Sequence, residues 1–430
     1  MIQVHHALRQ VLTIGILLFG AGPRAQTLDN LCGCKGHPKS LGTFSLYDEK
    51  TWSAGSRLEH TNLFIPLPAN GVLVYDEFKA ERKEGDHSTR YIHFERNADN
   101  TPVRLLVAGD FLLGPHVVIQ IHGMDGARGD RHIFGRGGMP GPGGFRGGDG
   151  AYQEVNDASV GGVGLGPAGG DPGKLEPLEH AKAGGFSGNR ELQPLVGGSG
   201  GGGGVSKDKG NCSGGGGGGG GGAILVAANG RLEVKGHINA DGAHGGGHSD
   251  GKCSTSGGPG GGGAIRLVAT QVAGDGYLSA RGNRGSRDGI PGIIRIESVE
   301  EAQFHAHRSE PQAIRSTVIS PLADPVAARI RITAVGGQTA PPKRKEKETA
   351  TEILLPKPGK TPVQVQTHGV PAGTTVEVTM KSKAGGQLLR QRGELNPNNC
   401  KEDGVCTLVL DFDLPSGAWF AEAMATFQVP

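Results

Sequence analysis

The chain has 430 residues, with 44 Lys and Arg against 42 Asp and Glu, and it carries 79 glycines and 26 prolines. So even a charge gives no global attraction for nucleic acid or anionic lipid. Aromatics at 5% and hydrophobics at 35% leave too little bulk for a conventional interdigitated core, so the glycine-rich part either stays uncollapsed or stacks backbone on backbone.

Residues 1–25 read as a signal peptide: Arg9 precedes the apolar run Val11–Phe19, which falls short of the roughly 20 residues a spanning helix needs. The expected location is secreted or cell-surface associated, with no transmembrane helix in the mature chain. Six cysteines in an exported chain predict disulfides. Cys212 and Cys253 each lie 11 residues before a matching strand, at Ala223 and Ala264, so stacked strands would bring the two thiols together. Cys400 and Cys406 would close a short loop. Cys32 and Cys34 are open between a mutual bond, free thiols and processing.

Residues 26–67 read as a lead-in or cap, with Trp52, Leu58, Leu63, Phe64 and Ile65 as its buried positions. From Pro68 the texture is β, with strands at Gly71–Tyr75 and Tyr91–Phe94. Lys79–Asp86 reads as a solvated turn. Residues 68–335 hold an internal repeat. Val103–Asp110 is followed by Val117–Gly123, Ala223–Ala228 by Arg231–Gly242, and Ala264–Ala269 by Val272 and Gly276–Gly282. Ile293–Ile296 begins a degraded copy, and Ala328–Ile332 reads as a fifth. The second and third copies start 41 residues apart, a period typical of stacked arrays. One such unit cannot bury its apolar side alone, so the expected fold is an all-β parallel β-solenoid.

Glycine tracts launch two of these strands, Gly214–Gly222 before Ala223 and Gly260–Gly263 before Ala264. Between the first and second copies lies a glycine-rich insertion, 124–222. Two states are open for it: a flexible coil, or polyglycine-II-like helices packed on the solenoid, which lack internal hydrogen bonds and need neighbours for their amides. No strict Gly-X-Y period runs through these tracts, which excludes collagen. Residues 336–350 read as a charged, proline-bearing linker. In 351–430 the alternating runs Pro362–Gln366, Thr375–Thr379, Thr407–Phe412 and Met424–Val429 predict a small antiparallel β-sandwich.

Residues 68–335 resemble a recurrent class of glycine-rich secreted proteins of environmental bacteria. The resemblance is carried by Pro68-Ala69-Asn70-Gly71-Val72, Asn97–Val103, Gly143-Gly144-Phe145-Arg146-Gly147-Gly148 and the two glycine-tract strands. The tail looks like Ig-like modules appended to surface proteins. These resemblances imply export and β architecture, and no catalytic residue.

Gly138–Gly141 lacks the following helix and Lys-Ser/Thr of a phosphate loop. Arg128-Gly129-Asp130 is a cell-adhesion tripeptide by letters, of a length that arises readily by chance. The glycine tracts lack the interleaved aromatics of a single-strand nucleic-acid platform. His237, Asp241, His244, His248 and Asp250 cluster in one loop, and imidazole with carboxylate suits zinc or copper; His244, His248 and Asp250 are weak metal candidates against ordinary solvated polars. A polysaccharide lyase or hydrolase would want carboxylates on adjacent coils, and only Asp110, Glu233 and Asp275, with Arg231 and Arg281, align even loosely. The reading is therefore an exported, non-enzymatic structural or adhesive surface or matrix protein without a cofactor. Its partner would be an extracellular polymer, a cell surface or further copies of itself, and no nucleic acid. The alternative is a β-helix enzyme acting on extracellular polysaccharide.

Overall fold

The computed structural model describes residues 30–425, except 98, 131–132, 152–160, 175–178, 207–212, 248–254, 283–288, 306–307, 323–328, 340–352, 356–357, 383–387, 402–403 and 416. The signal-peptide segment, Cys212, Cys253, His248 and Asp250 lie outside the described residues. No α-helix occurs among the described residues, and none of their helices is long and apolar enough to cross a membrane.

A parallel β-solenoid of three sheets forms the first body. Face one stacks Val72–Tyr75, Val103–Val107, Ala223–Ala228, Ala264–Ala269, Ile293–Ser298 and Ile314–Ser316. Face two stacks Thr43–Ser45, Glu77–Ala80, Phe111–Leu113, Arg231–Val234, Gln271–Gly274 and Gln303–Phe304. Face three stacks Asn62–Pro66, Arg90–Glu95, Val117–Gln120, His237–Asn239, Tyr277–Ser279 and Ser309–Glu310, with Arg57–Glu59 added antiparallel at one end. The repeat spacing sets the register: Ala223 pairs with Ala264 and Ile224 with Ile265.

Inside, like sits on like from coil to coil. Leu73, Leu105, Val226, Leu267 and Ile296 form one column, and Leu63, Ile92, Ile119, Ile238 and Leu278 another. Phe44, Phe78 and Phe111 stack with ring centroids 4.2 and 4.8 Å apart. Such columns let few bulky residues exclude water, because each covers its neighbour along the axis.

The ordered alternative for the insertion is the one found. Gly216, Gly219 and Gly222 donate backbone N–H groups to Ala127, Met124 and Ile121; Gly214, Gly217 and Gly220 donate to Ala151, Gly148 and Phe145; Gly215, Gly218 and Gly221 donate to Thr255, Gly258 and Gly261. Their carbonyls accept in the same rotation, from Gly135, Gly138 and Gly141, from Gly204, Gly201 and Gly198, and from Gly246 and Ala243. A donor direction that returns every third residue is the signature of a three-residue-per-turn polyglycine-II helix. Gly214–Gly222 is thus the central member of a hexagonal bundle, with a neighbouring segment on each of six sides. A Cβ on Gly220 would fall on the carbonyl oxygen of Gly198, and one on Gly217 on that of Gly201.

Several expectations need correction. Residues 43–66 are no separate cap: Thr43–Ser45 pairs in parallel with Glu77–Lys79, and Asn62–Pro66 with Tyr91–Glu95. In this coil the pleat turns Leu58 to solvent and leaves Phe64 half-buried. Lys79 belongs to a strand rather than a turn. Lastly, the expected fifth copy sits in the second body: Arg329–Val335 pairs antiparallel with Gly359–His368. Its strict alternation suits a sheet covered on one side, whereas Ala223–Ala228 is buried throughout.

That second body is a β-sandwich. One sheet orders Gln338–Thr339, Arg329–Val335, Gly359–His368 and Val405–Leu414; the other orders Ile353–Leu355, Gly417–Ala425, Thr375–Ser382 and Leu388–Glu394. Its core holds Val335, Val363, Val365, Val376, Val378 and Phe412. The sandwich therefore starts at 329 rather than 351. Residues 336–339 of the expected linker form a hairpin with that first strand.

Candidate functional site

The three outward faces of the solenoid differ in chemistry. Face one is covered: Val74, Ala223, Leu225, Ala227, Ala264 and Val268 pack beneath Cys32, Cys34, Leu192, Leu195 and Leu322. Cys32 and Cys34 are bonded to each other, and the Cys32 amide donates to Asn229 Oδ1 at 2.9 Å. Face two carries a ladder of solvated polar groups. Lys79 pairs with Glu77, Arg231 with Glu233 and Gln271, and Gln271 with Glu300.

Face three is different. Its four central strands read outward–inward–outward: Tyr91-Ile92-His93, Val118-Ile119-Gln120, His237-Ile238-Asn239 and Tyr277-Leu278-Ser279. The register places Phe64, His93, Gln120, Asn239 and Ser279 in one outward column, and Tyr91, Val118, His237 and Tyr277 in the other. The Arg57 guanidinium lies 4.5 Å from the Phe64 ring, whose other neighbour is His93, stacked at 4.8 Å. His237 meets Tyr277 edge-on at 5.1 Å, and its Nε2 lies 2.9 Å from Ser279 Oγ. Burial pushes the His237 imidazole down to about 4. Burial, then the neighbouring His122, lowers His93 as well. Both rings are therefore neutral near pH 7. Tyr277 is raised by burial and by its 2.8 Å hydrogen bond to Glu310.

Where face three meets the polyglycine bundle, a groove of about 520 Å³ opens, lined by His122, Asp125, Asn239, Asp241, His244 and Arg281 among others. Two bundle segments build its wall. Gly123 and Gly126 turn inward and donate to Asp241 O and His244 O, so His122 and Asp125 project outward on the intervening positions. Asp241 accepts from Arg281 N at 2.7 Å and from Nη2 at 2.6 Å. That hydrogen bond raises the Arg281 guanidinium further. Asp125 Oδ1 accepts from the His244 amide at 2.9 Å.

Of the residues singled out in the sequence, Asp241, His244 and Arg281 meet in the groove and the others lie elsewhere. His237 sits half-buried on face three, Asp241 is held by Arg281, and His244 is exposed on the groove wall. Among the described residues no three His, Cys, Asp or Glu side chains gather to hold a metal. Asp110 holds the Arg231 amide at 2.7 Å, Glu233 pairs with Arg231 and Lys235 on face two, and Asp275 is exposed. These carboxylates do not converge. Cys400 and Cys406 are bonded, as their spacing suggests. The face-three ladder went unread in the sequence, although the alternation was there in each third strand. No protein-family model, curated protein or solved structure matches the chain.

Proposed function

We infer that this is an exported, non-enzymatic adhesive or structural protein of the cell surface or its surrounding matrix. One observation carries the reading. Of the three outward faces, one is sealed by its own chain, one is a solvated charge ladder, and the third presents half-buried rings, imidazoles and amides that open into a groove. A face of that kind suits lasting contact with an extended partner better than a charge ladder does. The polyglycine bundle supports the same reading, since it turns a long excursion into a stiff block beside that face. On this reading residues 1–25 direct export and the C-terminal sandwich acts as an Ig-like spacer.

The test is fractionation of cells that express the full chain. Retention with cells or their matrix, lost when face three is altered by Tyr91→Ala with Tyr277→Ala, is the expected result. Complete release into the medium by the unaltered protein overturns it.

A further inference from the structure

We propose that the groove at the end of face three binds one unit of a neutral polysaccharide, whose chain continues along the column Asn239–Gln120–His93. The inference rests on the adhesive reading above and names its ligand.

Charge balance sets the ligand class. Asp241 and Arg281 neutralise each other through two contacts of the guanidinium and one of the Arg281 amide. Asp125 then remains beside two imidazoles, His122 and His244, on the same wall. An anionic polymer would confront Asp125 with no spare guanidinium in the groove lining, because Arg281 is shared by Asp241 and Glu310. A cationic one would meet a single carboxylate that already accepts from the His244 amide. A sugar hydroxyl donates and accepts at once, so it matches a wall that alternates acceptor-only and donor-only groups.

Orientation agrees with this. His122 Nδ1 lies 2.6 Å from Gly123 O, a contact that only an N–H can make, and with the proton of an uncharged imidazole held there, Nε2 is the acceptor. Asn239 Oδ1 already accepts from the Asp241 amide at 2.9 Å, so its Nδ2 is the group it offers, and the residue belongs to the groove and to the column alike. The column then runs over Gln120, whose Oε1 is buried and accepts no hydrogen bond among the described residues, so this step offers the ligand a packing surface rather than a free acceptor. With strands about 4.8 Å apart, the path from Asn239 to Phe64 covers three steps, roughly 14 Å, enough for more than one sugar. A polymer thus fits the surface better than a free monosaccharide.

The test is affinity electrophoresis of the full mature chain in gels containing galactomannan, hydroxyethyl cellulose or laminarin, against polygalacturonate and chitosan. Retardation in at least one neutral gel, insensitive to added salt, is expected. His122→Ala combined with His244→Ala should weaken it about tenfold or more, the loss of two hydrogen bonds, while Lys79→Ala on face two leaves it unchanged. Equal melting temperatures for the variants separate lost binding from lost folding. Retardation confined to polygalacturonate or chitosan and abolished by salt overturns the ligand class. Full retardation of the double variant overturns the site. Cell retention without retardation in any neutral gel defeats this ligand and spares the adhesive reading; retardation of a chain fully released from cells does the opposite.

Discussion

Arg266 and Glu297 meet at 3.0 Å with side chains 1% and 0% exposed, although both stand on the outward side of a solenoid sheet. The covering of face one makes this possible. Ser320 donates its amide to Glu297 Oε2 at 2.8 Å, Arg295 donates its Nε to Oε1 at 2.5 Å, and Arg266 donates to the carbonyls of Ser320 and Pro321. Two strands and the segment laid over them are thus joined through one carboxylate.

Removing that carboxylate leaves two guanidiniums facing each other without compensation. Glu297→Gln should cost about 3–5 kcal/mol, read as a lowered urea midpoint for the solenoid.

The bundle gives a sharper contrast. Gly220→Ala places a methyl on the Gly198 carbonyl oxygen, whereas a Cβ at Gly247 meets nothing. The first should destabilise by roughly 1–3 kcal/mol or more and open the insertion to proteolysis at Arg146 and Lys182. The second should stay within about 0.5 kcal/mol of the parent.

Acid should weaken the solenoid through His237. Its folded value of about 4 lies below the ordinary 6.5, so between these limits the unfolded chain binds a proton that the folded chain refuses. The contribution is complete above pH 6.5 and is lost as pH falls towards 4, on the order of 2–3 kcal/mol. Asp241 favours the proton and Arg281 opposes it. Denaturation series at pH 7 and 4.5 should show a smaller difference for His237→Gln than for the parent.

The sandwich should respond separately to reduction. Cys400–Cys406 closes a short loop, for which chain entropy predicts about 2 kcal/mol. Cys400→Ser with Cys406→Ser should lower the sandwich transition by that amount and leave the solenoid transition in place.

The solenoid was legible because Ala223–Ala228 and Ala264–Ala269 repeat a buried strand at a fixed interval. Its first coil was not, since Thr43–Ser45 and Asn62–Pro66 resemble neither each other nor that strand. The bundle was legible only as a choice between order and disorder. Gly123, Gly126 and Gly129, or Gly135, Gly138 and Gly141, do keep a three-residue spacing. Each set faces the central run, and the continuous glycines of that run hide the period. The site was hardest to see. Tyr91, His237 and Tyr277 come from different coils, and only the register aligns them.

The six-sided surroundings of Gly214–Gly222 also fix an order of events. Its partners come from 121–151, from 198–204 and from 243–261, on both sides of it in sequence. A chain that emerges from its N-terminal end can stack the coils up to Gln120 as they appear. The bundle cannot close then, because its central strand and the segments beyond it have yet to arrive. Contacts across such separations are slow to form. A chain emerging N-terminus first must therefore hold about a hundred residues without their final partners until it has passed Gly261, and the bundle closes only after that point by construction of its topology.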